Sequence, residues 1–178
     1  TEAQWPVLRE YDEQHLAKIA LPLGGIGTGT VSLGGRGNLF DWEIMNRPAK
    51  GFTPTQGSFG PFFAIFVKDA AGKTQARGLE GPLDLSVYEG SHGSTVVNHG
   101  LPRFRRCSFA AAYPLGQVRL SDFDMPVDVT IQAFNPLTPA APETSGIPVA
   151  ILRYVLRNKT TRPLEASVCG SLPNFIGM

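Results

Sequence analysis

The 178-residue chain reads as an all-β protein, an antiparallel β-sandwich, on three observations. Period-two alternation recurs along it, most cleanly in PVDVTIQAFNP (126–136), where Val127, Val129, Ile131 and Ala133 face one way and Asp128, Thr130 and Gln132 the other. Helical periodicity is almost absent. The 20 glycines and 15 prolines cluster between the alternating runs, as turn residues do in sheet proteins.

The elements follow in order. LREYDEQHLAKI (8–19) fits either a short helix, with Leu8, Tyr11, Leu16 and Ile19 on one side, or an irregular lead-in. A strand is predicted over 25–33, striped by Gly25, Gly27 and Gly29, and Gly34, Gly35 and Gly37 make the next turn. NLFDWEIMN (38–46) alternates, with Phe40, Trp42 and Ile44 as its apolar face. FFAIFVK (62–68) is apolar on both faces, so both should be covered. Asp69 to Lys73 reads as a hairpin turn into TQARGL, and 80–102 as loop. Further strands are expected in RFRRCSFAAAYP, GQVRLSDFD, 126–136, VAILRYVLRN (149–158) and LEASVCGSL, the last with Leu164, Ala166 and Val168 inward.

Composition excludes several classes. Sixteen basic and fifteen acidic residues leave a net charge of +1, which disfavours nucleic acid or an anionic membrane as the main partner. With 42% hydrophobic residues well spread, disorder is excluded. No apolar run is long enough for a transmembrane helix. The chain begins at Thr1, so the compartment stays open, and export with removal of a leader fits as well as excision from a longer chain. Cys107 and Cys169 lie in no Cys-x-x-Cys pair, and free thiols are expected.

Four glycines in PLGGIGTGT raise the question of a phosphate loop. A dinucleotide fingerprint started at Gly25 has Thr30 in its sixth position, and one started at Gly27 has Ser32. Gly72-Lys73-Thr74 lacks the glycine a P-loop needs at Val67. The bare face of the predicted strand instead implies close approach of another backbone, a ligand or a bend.

No catalytic constellation stands out. Asp41 with Glu43, and Asp122 with Asp124, alternate as carboxylate pairs that a glycosidase could use. The simpler reading is solvated strand edge or turn, because burying an unpaired carboxylate is costly. His15, His92 and His99 have no metal-ligand spacing, and no Gly-x-Ser-x-Gly elbow occurs. RFRR (103–106) reads as a charged strand edge that discourages edge pairing. No cofactor, metal or catalytic residue is assigned.

Three long stretches resemble the N-terminal domain of glycoside hydrolase family 116, the family of bacterial β-glucosidases and the non-lysosomal glucosylceramidase. They are IALPLGGIGTGTVSLGGRGNLFDWEIMNRPAKG (19–51), YPLGQVRLSDFDMPVDVTIQAFNPLTP (113–139) and SGIPVAILRYVLRNKTTRPLEASVCGSLPNFIG (145–177). The resemblance implies an N-terminal β-sandwich, a C-terminal (α/α)6 catalytic barrel and retaining hydrolysis by a Glu nucleophile and an Asp acid/base. Both carboxylates belong to the barrel, so neither maps onto this chain. The family's domain is also longer, which makes the chain, residues 1–178, a single but incomplete sandwich domain of a larger enzyme. The doubly apolar strand at 62–68 points the same way.

The resemblance implies that GGIGTG and RGNLFDWEIMNRP face the catalytic domain or the mouth of its site. Gly25, Gly27, Gly29, Arg36, Trp42, Asn46 and Arg47 are then the candidates for interdomain contact or substrate access. Trp42 could stack on a sugar, but Phe40 and Ile44 on its face favour a core role. The expected partners are the parent's catalytic domain and, through it, a β-glucoside. The alternatives are a free carbohydrate-binding or adhesion module, and a site in this domain built on Asp41 and Glu43.

Overall fold

The computed structural model describes residues 9–44, 46–57, 59–84 and 96–174. Its strands are β1 (Arg9–Tyr11), β2 (Ala20–Leu23), β3 (Thr30–Gly34), β4 (Leu39–Glu43), β5 (Phe62–Asp69), β6 (Thr74–Gly78), β7 (Arg106–Ala112), β8 (Leu115–Ser121), β9 (Val127–Phe134), β10 (Ile151–Asn158) and β11 (Leu164–Ser171). A 3-10 turn (Glu13–His15) and a short helix α1 (Pro142–Ser145) complete the described elements. All strand pairs are antiparallel. They form a five-stranded sheet, β1-β7-β8-β9-β10, and two three-stranded sheets, β11-β5-β6 and β2-β3-β4. The fold class is the one the alternation predicts.

One core joins the three sheets. Cys107 and Phe109 of β7, Val118 and Leu120 of β8, and the inward set of β9 share a buried cluster with Ile65 and Val67 of β5 and Leu21, Leu23 and Leu33 of the β2-β3 hairpin. β9 alternates buried and half-buried at every residue, as the sequence requires. The Phe63 and Tyr154 rings, 5.3 Å apart, carry the contact from β5 to β10. Each aliphatic side chain sealed in this way contributes about 1.5–3 kcal/mol.

Several elements differ from expectation. The lead-in is neither a helix nor shapeless: β1 pairs with β7, and Asp12 caps the 3-10 turn by accepting from the Gln14 amide. Leu8 lies outside the described residues. The predicted glycine-striped strand exists only from Thr30 onward; residues 24–29 are the loop between β2 and β3. Gly24 and, of the striped set, Gly27 and Gly29 have φ of 138°, 74° and 90°, a backbone closed to extended L residues, so the glycine run marks a turn rather than a pleat.

The alternation of 38–46 breaks inside β4. Ser32 pairs with Phe40 but Thr30 with Glu43, so β4 carries an extra residue. Asp41 takes it up at φ 50°, in the place where a bulge prefers glycine. Asp41 and Trp42 are therefore both buried. Met45 lies outside the described residues.

The RFRR segment is not a charged strand edge. Arg103 precedes β7 and is buried against Glu80, and Arg105 pairs with Asp122 and Asp124. In β11, Ala166 and Val168 sit across from Val67 and Ile65 as the inward reading requires, yet both are exposed. On the other face of β5, Phe66 is exposed, so the cover predicted for 62–68 is missing among the described residues.

Candidate functional site

The β2-β3 loop sits at one end of the sandwich, and distant segments hold it. Asn135, just after β9, clamps its base: Oδ1 accepts from the Gly24 amide (2.7 Å) and Nδ2 donates to the Pro22 carbonyl (2.6 Å). The Ile26 amide donates to the Ser145 carbonyl at the end of α1 (2.8 Å). Ser145 is buried, with its hydroxyl hydrogen-bonded to both the amide and the carbonyl of Thr138. Within the loop, the amide and hydroxyl of Thr28 both reach the Gly25 carbonyl.

Three glycines are required here by close approach, the first being Gly24, whose Cβ would collide with the Gly29 carbonyl oxygen. A Cβ on Gly25 would collide with the backbone of Gly146 and Ile147, and one on Gly29 would lie 2.7 Å from the Glu43 carbonyl oxygen. All three meet main chain, which cannot step aside. Gly27 faces open space, so its positive φ alone calls for glycine. The backbone approach inferred from the bare glycines is therefore present, but as a loop wedged between two segments.

A shallow cavity of about 180 Å³ opens beside this loop, lined in part by Gly25, Ile26, Gly29, Tyr113, Asn135 and Leu137. Three of its lining side chains are large, apolar and exposed: Ile26 is 64% and Tyr113 61% accessible, and Leu137 is also exposed. A cluster of large apolar side chains of this kind marks an interaction surface more often than a chance distribution.

Asp41 and Glu43 lie on the other flank, past Gly29. They hold the 47–52 loop: Asp41 Oδ1 accepts from the Gly51 amide (2.5 Å), and Glu43 Oε1 from the Ala49 amide (3.2 Å). Lys50 Nζ lies 2.7 Å from Glu43 Oε2 and 3.7 Å from Asp41 Oδ2. The Lys50 hydrogen bond, helped by the Ala49 amide, holds the Glu43 carboxyl below the usual range and in turn raises the Lys50 ammonium. A general acid needs the opposite shift. This pair secures a loop and is poorly placed for acid–base chemistry.

The other sequence candidates are dispersed. Arg36 pairs with buried Glu80, which also takes Arg103 Nε at 2.9 Å. Trp42 is buried. Asn46 has φ 54° and, like Arg47, is exposed near the Lys50 loop. Asp122 is not a solvated edge carboxylate: its side chain is fully buried, 3.3 Å from Arg105 Nη1 and 3.8 Å from Arg77 Nε, while Asp124 remains partly exposed. His15 Nδ1 lies 2.5 Å from Asp12, His99 bonds Arg103 through its carbonyl, and His92 lies outside the described residues. Among the described residues no three His, Cys, Asp or Glu side chains gather as metal ligands, and no helix is long and apolar enough to cross a membrane. Cys107 is buried and Cys169 exposed, both as free thiols; burial, and secondarily Glu13, pushes the Cys107 thiol up to about 12.

The sequence reading missed Asn135, Tyr113, Ser145 and Glu80. Asn135 could not be found from local pattern, because its partners are 111 and 113 positions away.

The family profile described as β-glucosidase 2, glycosyl-hydrolase family 116 N-terminal, matches residues 20–178. The chain belongs to this family. No curated protein matches the chain as a relative. The family 116 match takes in the glycine loop, the Asn135 clamp and all strands from β2 to β11. It makes the chain a glycoside hydrolase N-terminal domain, as the three resembling stretches imply.

Proposed function

We propose that this family 116 domain is the non-catalytic β-sandwich portion of a retaining β-glucosidase or glucosylceramidase-like hydrolase, and that it packs against and supports the catalytic domain. The observation that carries this reading is the exposed apolar rim of Ile26, Tyr113 and Leu137 around a glycine loop held by hydrogen bonds from distant segments. Such a surface suits docking, because little ordering entropy remains to be lost when a partner covers it. The engagement of Asp41 and Glu43 by Lys50 and backbone amides supports a scaffold role over a catalytic one. In this reading Gly25, Gly27 and Gly29 shape the docking face, and Asn46 and Arg47 lie close enough to its flank to make polar interdomain contacts.

The test is hydrolysis of an aryl β-glucoside by this chain and by its full-length parent, with Ile26→Asp in the parent. Activity is expected in the parent alone, and Ile26→Asp should loosen the two domains to limited proteolysis. Activity in the isolated chain would overturn the reading and return attention to Asp41 and Glu43. The exposed Tyr113 ring beside the cavity favours the second reading, a carbohydrate-binding module. Glucoside binding to the isolated chain by calorimetry, abolished by Tyr113→Ala, would decide for it.

A further inference from the structure

The end of the sandwich opposite the glycine loop carries a second cleft. The 122–126 turn enters β9 at this end, while Asn135 and the glycine loop lie past the other terminus of that eight-residue strand, about 25 Å away. The cleft is open, with a volume of about 280 Å³. It forms where the 122–126 turn meets the β5-β6 and β10-β11 turns.

Phe123 lines this cleft and is 81% exposed. Its turn is stapled from several sides. Asp122 Oδ1 accepts from the Asp124 amide (3.0 Å), the Asp122 carbonyl from Lys159 Nζ (2.6 Å), and the Asp124 carbonyl from Gln75 Nε2 (2.8 Å). Met125, two residues on, is sealed in the core. The Arg105 guanidinium lies 4.1 Å from the Phe123 ring centroid and is itself fixed by Asp122 and Asp124. Arg105 covers one face of the ring, and the high exposure leaves the other to solvent. A ring so held loses little freedom when a ligand covers it.

The polar lining is equally specific. Among the described residues Lys73 Nζ has no partner. Asp69 Oδ1 accepts from the Ala71 and Lys73 amides, while Asp69 Oδ2 and Gln75 Oε1 accept nothing among the described residues. Lys73 and Lys159 are matched by Asp69 and Asp124, so these charges cancel across the lining.

We propose that this cleft binds a neutral pyranose ring, whose C–H face stacks on the open face of Phe123 while its hydroxyls bond Lys73, Asp69 and Gln75. Vicinal hydroxyls both donate and accept, as one ammonium donor and two oxygen acceptors require. The C–H face of a sugar suits the electron-rich face of an aromatic ring. An anion would meet Asp69 and Asp124, and a cation would meet Lys73 and Lys159. A wholly apolar ligand would find little beyond Phe123 and Pro126, because Val67 and Met125 are sealed. Pockets for drug-sized ligands run from about 300 Å³ upward, so this cleft suits a single ring. The site depends neither on the glycine loop nor on the proposed docking of the catalytic domain.

The experiment replaces Phe123 by Trp in the full-length parent and follows its emission, with the native parent as baseline. Trp keeps the stacking face, and a position so exposed tolerates its size. The probes are maltotetraose, whose α-links a β-glucosidase does not cut, and phosphatidylcholine vesicles with and without a glucosyl lipid. A saturable change with maltotetraose, or with the glucosyl vesicles and not the plain ones, is expected, and separates a free saccharide from a headgroup. Adding Lys73→Met should weaken that binding about tenfold at an unchanged melting temperature. No response to either saccharide source overturns the proposal. A response to plain vesicles overturns it in favour of a membrane contact. Emission already shifted to the blue and unmoved by the probes overturns it in favour of cover by another part of the parent. Aryl β-glucoside hydrolysis by the Phe123→Trp parent is expected to match the native parent and reads the proposed function separately. An active parent without a saccharide response therefore removes only this proposal, and a saccharide response in an inactive parent removes only the proposed function.

Discussion

Replacing Glu80 by Gln removes one charge from the interior while keeping the side chain's shape. Glu80 is buried and receives Arg36 from the β3-β4 turn and Arg103 from the segment before β7. Its own carbonyl accepts from the Phe104 amide (3.0 Å), so the residue pins three segments. Breaking a buried ion pair by removing one partner costs about 3–5 kcal/mol. The lower end applies, because Arg103 keeps the carbonyls of Asn98, His99 and Leu101, and Arg36 is partly exposed. At about 2–4 °C per kcal/mol for a chain of this size, about 3 kcal/mol lowers the melting temperature by about 6–12 °C. The control is Glu165→Gln, whose exposed pairing with Lys68 at 3.7 Å should contribute about 0–1 kcal/mol. Differential scanning fluorimetry of the two variants beside the native chain is the assay. Equal shifts, or a Glu80→Gln shift below about 2 °C, would refute the argument that burial makes this carboxylate structurally decisive.

Gly29→Ala should destabilise by about 2–5 kcal/mol, from the left-handed φ and the overlap with the Glu43 carbonyl, whereas Gly27→Ala, facing open space, should cost about 1–2 kcal/mol; urea unfolding compares them. Ellman's reagent at about pH 8 should titrate Cys169 alone in the native chain and both thiols in denaturant, because Cys107 is buried with its thiol pushed up to about 12. Carboxyl-resolved NMR should find Glu43 titrating below the usual glutamate range, and Lys50→Met should return it toward that range. Since folding depresses this pKa, the stabilisation it brings is present above the ordinary glutamate value and is lost as pH falls through the depressed one.

Where side-chain pattern and burial coincide, the sequence was legible. β9 is the clearest case, because one face is sealed and the other half-exposed, so a shift of one residue would invert every position. The Asp69–Lys73 turn was equally readable, because its hydrogen bonds close within five residues. The glycine stretch was not. Alternate glycines carry no side chain to distinguish a pleat from a turn, and only the φ angles separate the two. The bulge at Asp41 was hidden for a related reason: one extra residue in β4 reverses the faces beyond it, and nothing local in LFDWE announces it.

The amino-acid sequence by itself determined the all-β class, the inward set of β9, the hairpin turns and the resemblance to family 116, because each rests on neighbouring residues or on long stretches read in order. Tertiary structure alone decided that Asn135 and Ser145 hold the glycine loop, that Asp122 and Glu80 are buried among arginines, and that β10 and β11 end their sheets among the described residues. The contacts of Asn135 with the loop, and of Glu80 and Asp122 with their arginines, join segments from 17 to 113 residues apart, and an acidic residue looks the same in sequence whether its cation lies beside it or across the fold.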